Sequence, residues 1–123
     1  MTDPVDILLV DDNRQVREGL ARVLRRSGYS VDTAENGLEA LADIEERKFR
    51  AIICDIMMPV MDGISLYEAL QSRHPGAAQR VMFVSAWFDD PQVRTFLEKT
   101  GRPVLQKPFE IQDFLHTVGK VAA

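Results

Sequence analysis

Apolar residues in this chain form short uninterrupted runs that alternate with longer segments in which they recur every three or four positions. Short runs bounded by turn-forming residues are typical of strands buried on both faces of a parallel sheet. The central run, Ala-Ile-Ile-Cys at 51–54, ends on Asp55. The strands predicted by this pattern cover residues 6–10, 29–34, 51–54, 80–84 and 103–106.

Helical periodicity fills the segments between these runs. The first helix is expected to begin at Asn13 and to end at Gly28. The later helices are expected at residues 38–47, 63–73 and 91–100, and from about 111 towards the C-terminus. We expect the periodic apolar side chains, including Leu38 and Ile111, to pack inward.

Five strands that alternate strictly with five helices predict an α/β fold. Such alternation is typical of parallel strands joined by right-handed crossovers, with helices on both faces of the sheet. Because the 123 residues contain no internal repeat, low-complexity segment or long linker, we expect a single domain with its core at about residues 6–122.

The composition argues against several classes of function. Apolar residues make up 46% of the chain and charged residues 28%, as in ordinary globular domains. The net charge of −4 gives no reason to expect direct nucleic-acid binding. The nearby arginines are expected mostly to decorate the first helix; they are Arg14, Arg17, Arg22, Arg25 and Arg26.

Neither a membrane span nor a secretory signal is expected. No apolar run approaches the roughly 18 residues that a span requires, and the N-terminus lacks the basic and apolar regions of a signal peptide. The single cysteine, Cys54, lies in the central strand and is expected to be a buried, inert thiol. A cytoplasmic location is the default expectation.

Polar residues follow four of the predicted strands. In chain order they are Asp11 and Asp12 after the first strand, Asp55 after the third, Ser85 after the fourth and Lys107 after the fifth. The carboxyl ends of parallel strands meet at one edge of the sheet, where open α/β sheets bind ligands. Taken singly, each residue is better explained as a cap, a turn residue or a surface lysine, by roughly three to one. Their arrival together at one edge favours a functional site.

Acids, a lysine and a hydroxyl at one edge suit phosphoryl transfer onto a carboxylate. Three neighbouring carboxylates raise one another's pKa unless a cation is present, and such hard oxygen ligands suit Mg²⁺. Lys107 would supply fixed positive charge, and Ser85 a hydroxyl that donates to an anionic oxygen. Asp55 is the first candidate for the acceptor.

Four segments, in this order, resemble the motifs of the receiver domain of two-component response regulators. They are Val-Asp-Asp-Asn at 10–13, Asp-Ile-Met-Met-Pro-Val-Met-Asp-Gly at 55–63, Val-Ser-Ala at 84–86 and Lys-Pro-Phe at 107–109. The resemblance covers essentially the whole chain. It implies a flavodoxin-like (βα)₅ fold whose five-stranded parallel sheet has the order 2-1-3-4-5.

The resemblance implies that Asp55 accepts a phosphoryl group from the histidine of a partner kinase or phosphotransfer domain. Asp12, Asp55 and the main-chain carbonyl of Met57 would bind Mg²⁺ directly, and Asp11 largely through metal-bound water. Receivers catalyse their own phosphorylation from small phosphodonors and their own dephosphorylation. Because turnover is not their purpose, the resemblance implies a signalling phosphoacceptor rather than an enzyme.

The resemblance also implies a switch. Ser85 and Lys107 would each bind a phosphoryl oxygen, and the Lys107–Pro108 peptide would be cis. Movement of Ser85 would shift the helix at residues 91–100 and the strand at 103–106. A downstream protein would read this face, together with the last helix, and phosphorylation could drive homodimerisation through it.

Three positions bear on how such a switch would behave. Many receivers carry Tyr or Phe three residues before the lysine, but this chain carries Val104, so the usual aromatic coupling to Ser85 cannot operate in the same form. Trp87 and Met57 each lie two residues past a site residue, and both are expected to flank the path of the hydrolytic water. We therefore expect slow loss of the phosphoryl group.

Alternatives to a phosphoacceptor are a receiver-shaped binding module that works without phosphorylation, a Mg²⁺-dependent phosphohydrolase and a nucleotide-binding flavodoxin-like domain. Val104 favours the first. A phosphohydrolase of this kind usually needs an acid at the position of Met57. A nucleotide-binding domain needs a glycine-rich loop after the first strand, and this chain has neither feature. Residues 96–109 resemble receivers fused to hybrid histidine kinases, and we expect no output domain within these 123 residues.

Overall fold

The computed structural model describes residues 5–123, and residues 1–4, which were read for a signal peptide, lie outside this range. Its strands are β1 (Val5–Val10), β2 (Val31–Ala34), β3 (Phe49–Asp55), β4 (Val81–Ser85) and β5 (Val104–Gln106). Its helices are α1 (Arg14–Arg26), α2 (Gly37–Glu46), α3 (Gly63–Arg73), α4 (Pro75–Ala78), α5 (Pro91–Thr100) and α6 (Ile111–Ala122). Within the described range, no helix has the length and apolar character that crossing a bilayer requires.

The strands form one parallel sheet in the order β2-β1-β3-β4-β5, the order that the resemblance implies. Val10 at the end of β1 pairs with Ala34 on one side and with Cys54 on the other. The three strands therefore end almost level with one another. Residues that follow them enter the same region at the C-terminal edge of the sheet.

Alternate side chains of each strand pack on opposite faces of the sheet. Leu8 and Val10 belong to one buried cluster, with residues of α2, α3 and α5. Ile7 and Leu9 belong to the other cluster, with residues of α1 and α6. Apolar clusters on both faces explain why the strands read as continuous apolar runs rather than as an alternating pattern.

The prediction of five helices was wrong by one short element. We expected helical structure to stop at His74, but Pro75 is the first residue of the single-turn helix α4. Proline suits this position, because the first helical N–H has no partner within the helix. The central strand β3 is also longer than predicted: it begins at Phe49 and includes Asp55. Exposed Arg50 had interrupted the apolar run.

Two side chains expected in the core are exposed. Leu38 is 56% exposed and Ile111 is 44% exposed. Both lie in the first turn of a helix, α2 and α6 respectively. A periodic pattern defines the inward face through neighbours on both sides of a residue, and a first-turn residue has helical neighbours on one side only.

Two glycines hold the β3–α3 loop against its surroundings. The Gly37 N–H donates to the Met61 carbonyl at 2.8 Å, and a Cβ at Gly37 would lie 2.5 Å from that oxygen. The Gly63 N–H donates to the Ile56 carbonyl at 2.8 Å, and a Cβ there would lie 2.7 Å from the carbonyl oxygen of Asp55. Both positions therefore require glycine, and the loop after Asp55 is tied at both ends.

The same loop contains a strained turn at Val60. This residue has a φ of 70°, and the Met61 N–H donates to the Pro59 carbonyl at 2.8 Å, closing a three-residue turn around it. Such turns are rare, and a β-branched residue at this φ is an outlier. Since Val60 is 77% exposed, little packing compensates the strain.

Val60→Gly is therefore expected to increase the free energy of unfolding by about 0.5–1 kcal/mol. Relief of positive-φ strain, about 1–2 kcal/mol, should exceed the extra chain entropy of glycine in the unfolded state. Urea unfolding without metal would measure the change. Val60→Ala, which keeps the Cβ, is the matched control and should gain less. A glycine variant less stable than the alanine variant would contradict this account.

Candidate functional site

Three carboxylates converge at the C-terminal edge of the sheet. Asp55 is the last residue of β3, and Asp11 and Asp12 directly follow β1, which pairs with β3. One oxygen from each acid lies within 4.8 Å of the others. Asp11 and Asp55 are buried, whereas Asp12 is exposed. The structure thus brings together the acids that the sequence assigned to one edge.

Lys107 reaches this acidic cluster from the segment after β5. Its Nζ donates to Asp55 Oδ2 at 2.9 Å and to Asp11 Oδ2 at 3.2 Å. Burial by itself would lower the pKa of Lys107, but hydrogen bonds and negative charge from Asp55 and Asp11 outweigh burial and raise the pKa above its usual value. The lysine is therefore a permanent cation between two of the acids. Its peptide bond to Pro108 is cis, as expected.

The charge of Asp55 is only partly compensated. The pKa of the Asp55 carboxyl is raised above its usual value: burial is the largest cause and the charge of Asp11 adds to it, while the hydrogen bond and charge of Lys107 act in the opposite direction. A divalent cation would supply the missing positive charge and would favour the ionised carboxylate. The donor set of three carboxylates is the hard oxygen chemistry that suits Mg²⁺.

Main-chain groups hold the remaining oxygens of the buried acids. The Asn13 N–H donates to Asp11 Oδ1 at 2.9 Å, and the Met57 N–H donates to Asp55 Oδ1 at 3.3 Å. Asn13 also caps α1, because its Oδ1 accepts from the Val16 N–H at 3.1 Å. The bond from Met57 places this residue, whose carbonyl the sequence assigned to the metal, directly beside Asp55.

Ser85 lies fully buried at the end of β4. Its Oγ accepts a hydrogen bond from the Trp87 N–H at 3.0 Å, and its main-chain carbonyl accepts from the Lys107 N–H at 2.8 Å. No acceptor for the Ser85 hydroxyl proton is found among residues 5–123. The hydroxyl can therefore donate to an anionic oxygen brought into the cluster.

Two exposed apolar side chains lie close in sequence to residues of this polar cluster. Trp87 is 52% exposed and Met57 is 44% exposed, and they occupy the loops that follow β4 and β3. Neither side chain offers a strong acceptor for the proton of a water molecule, because Trp87 has only an indole N–H donor and Met57 only a weakly accepting thioether. That these side chains flank the path of the hydrolytic water stays a prediction.

The other reactive residue types do not join the cluster. Cys54 is fully buried, and burial, followed by the charge of Asp55, raises the pKa of its thiol far above the usual value, so it is inert as predicted. His74 lies between α3 and α4, with its Nε2 3.8 Å from Glu45 Oε2, and His116 is exposed on α6.

Sequence reasoning missed Arg17. We expected the arginines of α1 mostly to decorate its surface, but Arg17 is buried, and one of its guanidinium nitrogens donates to the main-chain carbonyl of Asp11 at 2.8 Å. Its position on α1, five residues after Asp12, was the available signal. Four other arginines near it in the sequence concealed that signal.

Three aromatic rings occupy the region beside Val104. Phe83 pairs with Val104 across β4 and β5. Its ring meets those of Tyr67 and Phe96 edge-on, with centroid separations of 5.7 and 5.4 Å, and Tyr67 and Phe96 also contact each other at 5.7 Å. Aromatic contact between β4 and α5 is therefore present although Val104 is not aromatic.

Comparison with known proteins gives one consistent result. Residues 7–119 match the family model described as the response regulator receiver domain. Over 112 residues the chain is 37% identical to the response regulator MprA of Mycobacterium sp. (strain KMS), covering 91% of this chain and 48% of that protein. Over 114 residues it is 35% identical to the sensor kinase CckA of Brucella abortus (strain 2308), covering 91% of this chain and 12% of that kinase. The chain spans about half the length of the former relative.

Solved structures agree with the sequence comparison. The chemotaxis protein CheY4 of Vibrio cholerae superposes with a TM-score of 0.82 at 30% identity, over 97% of this chain and 99% of that one. The response regulator TrrA of Thermotoga maritima, solved in complex with Mg²⁺ and BeF, superposes with a TM-score of 0.82 at 29% identity, over 95% of this chain and 98% of that one.

Asp55→Asn is expected to stabilise the metal-free protein at neutral pH. Because the pKa of Asp55 is raised on folding, the folded state binds more protons than the unfolded state between the ordinary carboxyl pKa and the raised one. The wild type therefore loses stability as the pH rises through this window, and the variant lacks that loss.

Urea unfolding in EDTA measures this effect. The stability gap in favour of the variant should widen as the pH rises from the ordinary carboxyl pKa, about 4, towards the raised pKa of Asp55. Saturating Mg²⁺ should reverse the gap, because the cation favours ionised Asp55 in the folded state. A gap that stays constant or narrows with rising pH would show that burial does not govern this carboxyl.

Proposed function

The chain belongs to the response regulator receiver domain family of two-component signalling, and on this premise we propose that Asp55 accepts a phosphoryl group from a histidine of a partner kinase or phosphotransfer domain. The observation that carries the proposal is the placement of Asp55, at the end of the central strand and 2.9 Å from Lys107. It is a buried carboxylate with a fixed cation beside it, within a cluster of two further acids.

The transfer breaks the bond between phosphorus and the histidine nitrogen and forms a bond between phosphorus and a carboxylate oxygen of Asp55. The freed nitrogen keeps the electron pair. Most of the chemical demand is for charge compensation, because negative charge is spread over the phosphoryl oxygens during transfer. Lys107 supplies part of this compensation and can pair with a phosphoryl oxygen without changing its own protonation state.

The acids would hold Mg²⁺, with Asp12 and Asp55 as direct ligands, Asp11 acting largely through bound water and the main-chain carbonyl of Met57 as a further oxygen. When bound, the cation would neutralise charge on the acids and on the phosphoryl oxygens. The carboxylate oxygens within 4.8 Å of one another support this assignment.

Ser85 would carry the phosphorylated state to the surface. Its hydroxyl donates to a phosphoryl oxygen, which draws the end of β4 towards the acceptor. Phosphorylation adds about −1.5 to −2 charge units beside Ser85 and Lys107. The loop that begins at Ser85 leads into α5, so the face formed by α5, β5 and α6 is the surface that a downstream protein would read and through which two copies could pair.

A binding module that works without phosphorylation is the second candidate, and Val104 is the observation that favours it. Its valine side chain cannot provide the aromatic coupling to Ser85 that many receivers use. A phosphohydrolase is less consistent with the site, because the position two residues after Asp55 is Met57 rather than an acid. The intact set of acids, Ser85 and Lys107 supports the phosphoacceptor.

The first test is intact mass after incubation with acetyl phosphate and Mg²⁺. Wild type should gain one phosphoryl group, about 80 Da, and Asp55→Ala should gain none. EDTA should suppress the gain in the wild type. Absence of an adduct with every donor, when Mg²⁺ binding has been verified, would favour the phosphorylation-independent module.

The lifetime of the phosphoryl group provides a second test. Trp87→Glu combined with Met57→Asn should shorten it several-fold, because one added hydrogen bond to the attacking water contributes about 1 kcal/mol. Leu38→Asn, at an exposed apolar residue outside the loops after β3 and β4, is the matched control and should leave the lifetime unchanged. Equal lifetimes for wild type and the double variant would contradict the proposed role of these side chains.

A further inference from the structure

Arg17 is a buried charged residue that the proposed chemistry does not use. In the part of the chain that the structure describes, the buried polar or charged residues are Asp11, Arg17, Asp55 and Ser85. Three of them belong to the candidate site. Burying a guanidinium group is costly unless the group is hydrogen-bonded or paired, so the contacts of Arg17 indicate what the burial achieves.

The guanidinium contacts two loops at the site edge. Its Nη1 donates to the main-chain carbonyl of Asp11 at 2.8 Å, and its Nη2 lies 3.9 Å from Glu35 Oε1 in the loop between β2 and α2. The Arg17 side chain is 10% exposed, whereas that of Glu35 is 66% exposed. The buried bond to the carbonyl is therefore the stronger contact, because an exposed ion pair contributes little.

The bonded carbonyl lies next to a proposed metal ligand. The Asp11 carbonyl and the nitrogen of Asp12 belong to one planar peptide group, so a bond that fixes the oxygen also restricts the position of the Asp12 backbone. Asp12 is exposed, and no ion pair within residues 5–123 involves its carboxylate. The backbone is therefore the main determinant of where this carboxylate lies.

The rest of Asp11 is held as well. Its N–H donates to the Ala34 carbonyl at 3.2 Å, and its two carboxylate oxygens accept from Asn13 and Lys107. Arg17 completes this set by binding the one remaining polar group. It binds a carbonyl rather than a carboxylate, so it takes no oxygen that a metal ion would need.

We propose that Arg17 is a positioning residue for the cation site: its bond to the Asp11 carbonyl sets the Asp11–Asp12 peptide so that the Asp12 carboxylate faces Asp55. The proposal rests on the proposed function in one respect, the use of Mg²⁺ by these acids. Arg17 touches neither the metal nor the transferred group. Its positive charge opposes a nearby cation, so removing it will weaken Mg²⁺ binding only if positioning outweighs repulsion.

The experiment compares Mg²⁺ affinity by isothermal titration calorimetry on the full chain. Arg17→Gln removes both the positive charge and the planar guanidinium group. Arg17→Lys keeps the positive charge but replaces the guanidinium with an ammonium group. Arg25→Lys is the matched control, because Arg25 lies on the same helix and donates to the main-chain carbonyl of Val31 at 3.0 Å. Urea unfolding in EDTA records the stability of each variant.

Arg17→Gln is expected to weaken Mg²⁺ binding about tenfold, with Arg17→Lys intermediate and Arg25→Lys unchanged. The Mg²⁺ concentration that half-saturates phosphorylation by acetyl phosphate should rise in parallel. The rate at saturating Mg²⁺ should stay near wild type, because a positioning residue acts on cation binding and not on transfer. If Arg17→Gln does not fold, Arg17→Lys against Arg25→Lys decides the question.

Three results would overturn the proposal. Mg²⁺ affinity equal to wild type in both Arg17 variants, with stability lost as in Arg25→Lys, would make Arg17 purely structural. Tighter binding in Arg17→Gln would make charge repulsion its main effect. A wild type that binds no Mg²⁺ would also refute it. A wild type that binds Mg²⁺ but takes no phosphoryl group would refute the proposed function and leave the comparison of affinities valid.

Discussion

Repulsion among three carboxylates within 4.8 Å is the constraint on which the rest of this structure depends. The strands that deliver the acids and the hydrogen bonds from Lys107 to Asp11 and Asp55 hold them close together, although Lys107 compensates only part of their charge. Burial is the first cause of the raised pKa of Asp55, and the negative charge of Asp11 adds to it. The proposed cation site follows from this excess negative charge, whereas the proposed phosphoryl group would find its positive partner in Lys107.

The neighbouring loops are held at many points, which a charged cluster of this kind requires. Gly37 and Gly63 let the β3–α3 loop approach backbone atoms more closely than any other residue would allow. On the other side of the cluster, Arg17 and Asn13 fix the loop after β1. The positive φ of Val60 indicates that the surrounding contacts outweigh the preference of a β-branched residue for negative φ. The acids therefore keep their arrangement although they repel one another.

In the proposed switch, the path from Asp55 to the surface runs through β4. Ser85 and Phe83 lie two residues apart on this strand, so their side chains point to the same face, towards α5. Phe83 contacts Phe96 of α5, while its partner on β5 is only Val104. A displacement of β4 would reach α5 through these ring contacts, and it would reach β5 through the strand pairing and the hydrogen bond from the Lys107 N–H to the Ser85 carbonyl.

The sequence by itself determined the parallel sheet and the residues at its C-terminal edge, while the order of the strands came from the resemblance to receiver domains. Apolar runs that end on acids are local features, and strand alternation leaves few topologies. The sequence did not reveal that Arg17 is buried or that α4 follows Pro75, and it placed Leu38 and Ile111 inside when they are exposed. Whether a residue at a helix end is buried, and which of the five arginines is buried, depend on which elements contact one another in the folded chain. Only tertiary packing decides that, because periodicity identifies a face of a helix but not what lies against it.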